Sequence, residues 1–345
     1  MCEHSRVLPR GGGTKPALST AGEATTVLEL SAVSGLVDYD PAEFTFTARA
    51  GTRVAEISRL VEEHGQYLPF DPPLVEQGAT LGGTVAAGVS GPGRFRYGGV
   101  RDFILSVLYV DCDGHLVRGG AKVVKNAAGF DLPKLMTGSL GSLGVLVEVT
   151  FKVFPKPQAC VTLQLPCSDL RDALEVLYRI QASPLDLMAL EIVPAPPKTL
   201  LWARMGGFAE VLNERATRLR GLLGGGDMIE GQAESRFWLD AREFTWLPDG
   251  WSLVKVPTTP RRIPLLEASL DGWVCRRRYS CGGQVAWVAS PREIDHLDRQ
   301  LSANEFSGLV IRGPAGRPRL GVRVGDLFAR RVKQALDPLG RFVEI

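Results

Sequence analysis

VVKNAAGFDLPKLMTGSLGSLGVLVEVTF, residues 123–151, places Gly138, Gly141 and Gly144 at three-residue spacing directly before Val147, Val149 and Phe151, which alternate with polar residues. Glycine loses more backbone entropy on folding than any residue with a side chain. A run of glycines therefore marks a tight turn, or main chain that something approaches closely. The alternation predicts a strand immediately after it.

The rest of the chain sets the frame for that turn. With 345 residues and 45% hydrophobic composition, it is long enough for two or more structural units. Forty basic against 38 acidic side chains leave a net charge of +2, and no dense basic block points to nucleic acid or a membrane surface. The longest uncharged run, 77–93, is glycine-rich and too short to span a bilayer. MCEHSRVLPRGG carries no apolar signal region, so a cytoplasmic location is expected. Cys2, Cys112, Cys160, Cys167, Cys275 and Cys281 form no CxxC pair, which argues against zinc, thioredoxin-type chemistry and iron-sulfur ligation in this chain. His4, His64, His115 and His296 have no metal-like neighbours, and no metal is expected.

The first part reads as alternating strands and helices. Phe44, Phe46 and Ala48 suit a half-buried strand, followed by a helix with Thr52 as its cap, an apolar stripe of Val54, Ile57, Leu60 and Val61, and Gly65 as its stop. GATLGGTVAAGVSGPGRFRYGG, 78–99, holds eight glycines in 22 residues and reads as a long functional loop. Asp113-Gly114 between apolar runs predicts a hairpin with a primed turn. Beyond FPKP, 154–157, the predicted order is a strand over 161–165, a helix over 169–182, strands over 188–193 and 199–203, and a helix over 209–223, a ferredoxin-like series. A comparable set runs from Ser252 through Cys281-Gly282-Gly283 to Ile311, and a last helix spans Asp326–Leu336.

Three segments are candidates for holding a phosphate-bearing ligand through bare backbone: PRGGGTK (9–15), the loop from Gly78, and GSLGSLG (138–144). Neither a Rossmann GxGxxG fingerprint nor a P-loop is present. Together the three segments resemble the vanillyl-alcohol-oxidase and FAD-linked oxidase family, over about 5–157. KNAAGFD and GSLGSLG are in addition similar to the FAD-binding subunits of bacterial glycolate oxidases. The resemblance implies an α+β protein: a PCMH-type FAD-binding domain (1–157), a ferredoxin-like cap domain (158–313) and a C-terminal segment (314–345) whose helix returns to the first domain. It implies FAD contacts from Arg10, Gly11, Gly12, Gly13, Thr14, Pro72, Thr80, Gly82, Gly83, Thr84, Ser90, Gly91, Lys125, Gly141, Gly144 and Val145. Thr14 stands where covalently flavinylated relatives carry histidine, so the FAD is expected to be non-covalent. Only nine residues precede Arg10, fewer than the strand and helix that family members place there.

Arg94, Arg96, Tyr97 and Arg101 could face a flavin or an anionic substrate; the other reading is a solvated basic loop with Arg101 paired to Asp102. Lys122 stands similarly. A 2-hydroxy-acid oxidase needs a base, commonly histidine. The histidine-rich motif of the catalytic relatives is missing here, and no catalytic residue is assigned. The resemblance thus implies an FAD-dependent oxidoreductase acting on CH–OH groups as part of a glycolate oxidase, partnered by a catalytic flavoprotein subunit and an iron-sulfur subunit. A stand-alone D-lactate-type dehydrogenase, a cofactor-free assembly subunit and a sugar-nucleotide reductase stay open as alternatives.

Overall fold

The computed structural model describes residues 6–19, 21–22, 24–122, 130–291 and 294–344. Strand β1 (Val7–Arg10) pairs in parallel with β2 (Thr26–Glu29). On its other side, Val7 bridges in parallel to Phe342. The first glycine loop leaves the end of β1 and runs into a 3-10 turn at Pro16–Leu18.

A five-stranded antiparallel sheet follows, in the order β3-β4-β8-β6-β7. Its strands are β3 (Leu36–Asp40), β4 (Thr45–Arg49), β6 (Ile104–Val110), β7 (Leu116–Gly120) and β8 (Val145–Lys152); a separate short pair joins β5 (Gln66–Tyr67) to β9 (Phe154–Pro155). Phe46, Phe151 and Phe70 stack through this core, with ring centroids 5.8 and 5.3 Å apart. The expectation of a half-buried strand around Phe46 is corrected. Thr45 and Thr47 are buried too, and Thr47, Ser106 and Thr150 satisfy one another through hydroxyl bonds of 2.9 and 2.7 Å. Alternating polarity here comes from hydroxyls that pair inside the sheet instead of facing water. Phe44 takes φ +54 and lies outside β4.

Helix α1 (Val54–Glu63) buries Val54, Ile57 and Val61, as its stripe predicts, and Gly65 follows it at φ +66. Thr52 is not its cap. Its Oγ1 exchanges hydrogen bonds with the backbone of Gly35, and Arg53 holds the capping position without a side-chain bond.

The glycine-dense segment after Gly78 is not one loop. It contains α2 (Leu81–Ala87), α3 (Arg94–Tyr97) and, just beyond, α4 (Val100–Phe103). Thr80 caps α2 by accepting from Gly83 N at 3.3 Å, and Gly88 ends it in the left-handed region. Glycine hides the helix because α2 lies flush on the sheet: a Cβ on Gly82 would stand 2.7 Å from Ala50 Cβ. The hairpin of β6 and β7 is also adjusted. Gly114 has φ +88 but Asp113 is not left-handed, and Asp111 closes the turn by accepting from the amides of Asp113 and His115. A short α5 (Leu132–Met136), capped by Asp131, leads into the third glycine turn.

The second unit is a nine-stranded sheet, β13-β10-β12-β11-β15-β16-β14-β17-β18. The first half contains β10 (Ala159–Cys167), α6 (Leu170–Gln181), β11 (Ala189–Ala195), β12 (Lys198–Gly207), α7 (Ala209–Leu223), β13 (Asp227–Glu230) and α8 (Gly231–Glu243). The second contains β14 (Ser252–Pro257), α9 (Ile263–Ser269), β15 (Arg276–Ser280), β16 (Val285–Ser290), α10 (Ile294–Ala303), β17 (Ser307–Arg312) and β18 (Arg319–Gly321). Numbered within each half, the strands lie in the order 4-1-3-2 in the first and its mirror, 2-3-1-4, in the second, with β18 added outside β17 as an extra edge strand. Two ferredoxin-like halves therefore meet at β11 and β15, where the register contains the single pair Ile192↔Tyr279. Beside that seam Glu191, 1% exposed, accepts from Arg278 and Ser280.

Helix α11 (Asp326–Leu336) returns to the first unit. Val332 and Leu336 rest on its core, and Lys333 Nζ donates to Ser142 O at 2.7 Å and Phe342 O at 3.0 Å. No helix among the described residues is long and apolar enough to cross a membrane.

Candidate functional site

The three glycine segments converge on one cavity of about 590 Å³. Arg10, Gly11, Gly12, Gly13 and Thr14 line it from the first loop, Thr80, Gly82 and Gly83 from the second, and Gly141 and Gly144 from the third. Pro72, Thr84, Ser90, Gly91 and Val145 do not line it. Ser90 Oγ instead accepts from Val100 N, Gly91 N donates to Asp71 O, and Val145 packs with Cys112 and Phe342. Thr84 Oγ1 is buried without a partner. Lys125 lies outside the described residues.

The glycines do two separate jobs. Some let the loops touch: a Cβ on Gly12 would stand 2.0 Å from Gly78 O, and one on Gly11 would stand 2.2 Å from Thr80 Oγ1. Others set the turn, as at Gly141, whose φ of +80 excludes most side chains. The amides of Gly11, Gly12, Gly13, Thr14 and Gly141 donate to no protein acceptor among the described residues. The amides of Leu81, Gly82 and Gly83 at the start of α2, by contrast, are taken up by Thr52 O, Ala50 O and Thr80 Oγ1. The amides left free for an acceptor therefore belong to the first and third turns. Unpaired backbone donors around a cavity are what a pyrophosphate requires. Gly141→Val forces a β-branched residue into the left-handed region and brings its Cβ within 3.3 Å of Pro9 Cδ. The purified variant is expected to be colourless, read as flavin absorbance per chain.

Lys15 is a cavity residue that motif reading did not single out. Its ammonium lies beside Thr14 Oγ1 at 3.3 Å, and burial pulls its pKa down to about 8 against the opposing influence of the Glu243 carboxylate. Below pH 8 it is a cation beside the free amides, and above that it is neutral. Affinity for an anionic ligand is thus expected to fall from pH 7 to pH 9.5 by about tenfold, the worth of one charged hydrogen bond. In Lys15→Met that pH dependence should be lost, as measured by FAD titration. The signal available in sequence was only its place after GGGT.

The inner wall is apolar. Leu18, Ala87 and Leu140 line the cavity and belong to a buried cluster with Leu74, Phe244, Leu253, Trp287 and Ile311 that fills the space up to the nine-stranded sheet. The basic segment does not reach the cavity lining. Arg96 pairs with Asp186 and stacks on Tyr97 at 5.1 Å. Asp102 accepts from Gly99 N at 2.7 Å instead of pairing with Arg101, and Lys122 pairs with Asp38. His64 packs on Tyr39 and His296 on Trp273; His115 lies in the exposed hairpin turn with Asp111.

This cradle of bare-backbone turns over an antiparallel sheet defines a PCMH-type FAD-binding protein, and residues 2–120 match the FAD binding domain family. FAD is its cofactor. Across 321 residues the chain is 34% identical to glycolate oxidase subunit GlcE of Escherichia coli, covering 91% of this chain and 85% of that one. The chain belongs to that family of FAD-dependent oxidoreductase subunits. It is also 30% identical over 198 residues to glycolate oxidase subunit GlcD of Bacillus subtilis, covering 56% of this chain and 40% of that one. A D-lactate dehydrogenase of Archaeoglobus fulgidus is 30% identical over 190 residues, 54% of this chain and 42% of the relative. Among solved structures, alkyldihydroxyacetonephosphate synthase superposes with a TM-score of 0.73 at 17% identity, over 97% of this chain and 72% of that one, a likeness of fold alone.

Proposed function

We propose that this chain is the FAD-binding subunit of an assembly that oxidises glycolate to glyoxylate, alongside a catalytic flavoprotein subunit and an iron-sulfur subunit. FAD, held non-covalently, would lie with its pyrophosphate on the amides of Gly11, Gly12, Gly13 and Thr14 and of Gly141, near Arg10 and Lys15. Thr80, Gly82, Gly83 and Gly144 would line it. Residues 1–157 would form the cofactor domain, 158–313 the cap and 314–345 the returning segment. When bound, FAD supplies a two-electron acceptor.

The apolar inner wall carries the accessory role. Oxidising a 2-hydroxy acid removes two electrons and two protons. It calls for a cation to hold the carboxylate and a base for the hydroxyl proton. Behind Leu18 and Leu140 the protein places Phe244, Leu253, Trp287 and Ile311, and the cations nearest that cluster, Lys255 and Arg94 beside Cys281, do not line the cavity. On the cavity lining, Arg10 is paired to Glu29, which leaves Lys15 beside the first glycine loop. Cys281, in the same apolar cluster, is a thiol that burial pushes up to about 12, too weak an acid to serve.

The test is anaerobic addition of glycolate and D-lactate to the purified yellow chain. No bleaching is expected until dithionite is added, whereas glycolate should bleach the co-purified assembly. Bleaching of the isolated chain by D-lactate would make it a stand-alone dehydrogenase. A colourless chain that cannot be reconstituted would make it an assembly subunit without cofactor.

A further inference from the structure

If this chain's flavin exchanges electrons with other subunits, a reading that rests on the accessory role above, some surface beside the cofactor cavity must receive a partner. We propose that the face made by residues 316–331, from the edge strand β18 into the first turn of α11, docks a redox-active protein whose surface is apolar at its centre and ringed by carboxylates.

Three observations converge there. Val324, Leu327 and Phe328 are 89%, 76% and 71% exposed, a contiguous stretch of large apolar side chains left in water at the start of a helix whose other side packs on the core. Such a cluster on a soluble protein marks an interaction surface.

The stretch 316–331 itself carries five arginines against one aspartate, with Asp298 and Glu344 beside its start. Arg319, Arg323 and Arg331 form no ion pair among the described residues, while Arg317 pairs with both Asp295 and Asp298. Asp326, the lone carboxylate of the stretch, bonds Arg330 at 2.7 Å, and that bond together with the fields of Arg323 and Arg319 holds it below the usual carboxylate range. The arginines are therefore gathered around the apolar residues, and the rim they form selects an acidic partner and speeds its approach.

The position is the third observation. Ala315 lines the cofactor cavity, and the residues just after it, Gly316, Arg317 and Arg319, line a second pocket of about 260 Å³. Lys333 of α11 holds Ser142, next to Gly141 in the third glycine turn. The face thus begins one residue after the cavity lining, and its helix is tied to the third glycine turn.

The experiment uses the full chain, affinity-tagged and purified with its assembly. Two double variants are compared with wild type: Leu327→Asp with Phe328→Asp, and Arg319→Glu with Arg323→Glu. The aspartates replace exposed side chains and leave the fold in place. Recovery of a chain carrying flavin or an iron-sulfur cluster, identified by mass and visible spectrum, is expected to fall at least tenfold in both variants, with FAD per tagged chain unchanged. Undiminished recovery in both overturns the proposal. So does loss of binding to phosphatidylglycerol vesicles with partner recovery intact, which would make the face a membrane contact. Because FAD content is read separately, a colourless chain that still loses its partner in the variants sinks the cofactor-subunit reading and leaves the docking face standing.

Discussion

A Gly12→Ala variant is expected to lose FAD affinity by about ten- to a hundredfold while keeping a folded second unit. The added methyl would stand 2.0 Å from the carbonyl oxygen of Gly78 and 3.0 Å from its carbon, both backbone atoms. Gly78 itself sits at φ +90, so the strand of chain it belongs to cannot easily be reshaped. The neighbouring Gly11 faces Thr80 Oγ1, the group that caps α2, and a shift of the first loop would therefore disturb the second. Overpacking of this kind costs about 1–3 kcal/mol, which in a binding equilibrium is one to two powers of ten. Titration of the apo-protein with FAD, followed by flavin fluorescence, reads the effect directly. Wild-type affinity in Gly12→Ala would show that contact between the first two loops is not what shapes the cofactor site.

The largest expected loss of stability belongs to Glu191→Leu. Glu191 is 1% exposed and accepts from Arg278 Nε at 3.0 Å, Arg278 Nη2 at 2.5 Å and Ser280 Oγ at 2.5 Å, across the strands β11 and β15. Removing the carboxylate leaves an arginine only 8% exposed by its side chain without a counter-charge. Breaking one side of a buried pair costs about 3–5 kcal/mol, much of it the desolvation of the abandoned partner. The location raises the stakes, since the two ferredoxin-like halves share only the Ile192↔Tyr279 pair in register at that seam. Urea unfolding should show a lower midpoint for Glu191→Leu. Most of the loss should return in the double variant Glu191→Leu with Arg278→Met, where no charge is stranded. A single variant within 1 kcal/mol of wild type would mean the hydrophobic core alone holds the halves together.

Much of the fold was legible because its signals are local. The apolar stripe of α1, the span of α7 and the repeated series of strands and helices after FPKP all depend on periodicity within a few residues. The readings that needed correction have a common cause. In α2, Gly82, which lets the helix lie against Ala50, lowers helix propensity, and the tertiary contact outweighs it. At Thr52 and Thr47, hydroxyls that read as cap and solvent face are recruited by distant backbone and by Thr150.

By itself the sequence determined that three bare-backbone turns exist, that they carry an FAD-linked pattern, and that no histidine-rich catalytic motif accompanies them. The tertiary structure decided which turns hold free amides. The donors of α2 are consumed by Ala50 and Thr52, and those of Gly11 to Thr14 and Gly141 are not, a difference set by partners far away in the chain. It also decided that Lys15 faces the cavity and that an apolar cluster drawn from both units closes the inner wall. Burial and hydrogen-bond satisfaction are properties of the packed whole, and no window of neighbouring residues contains them.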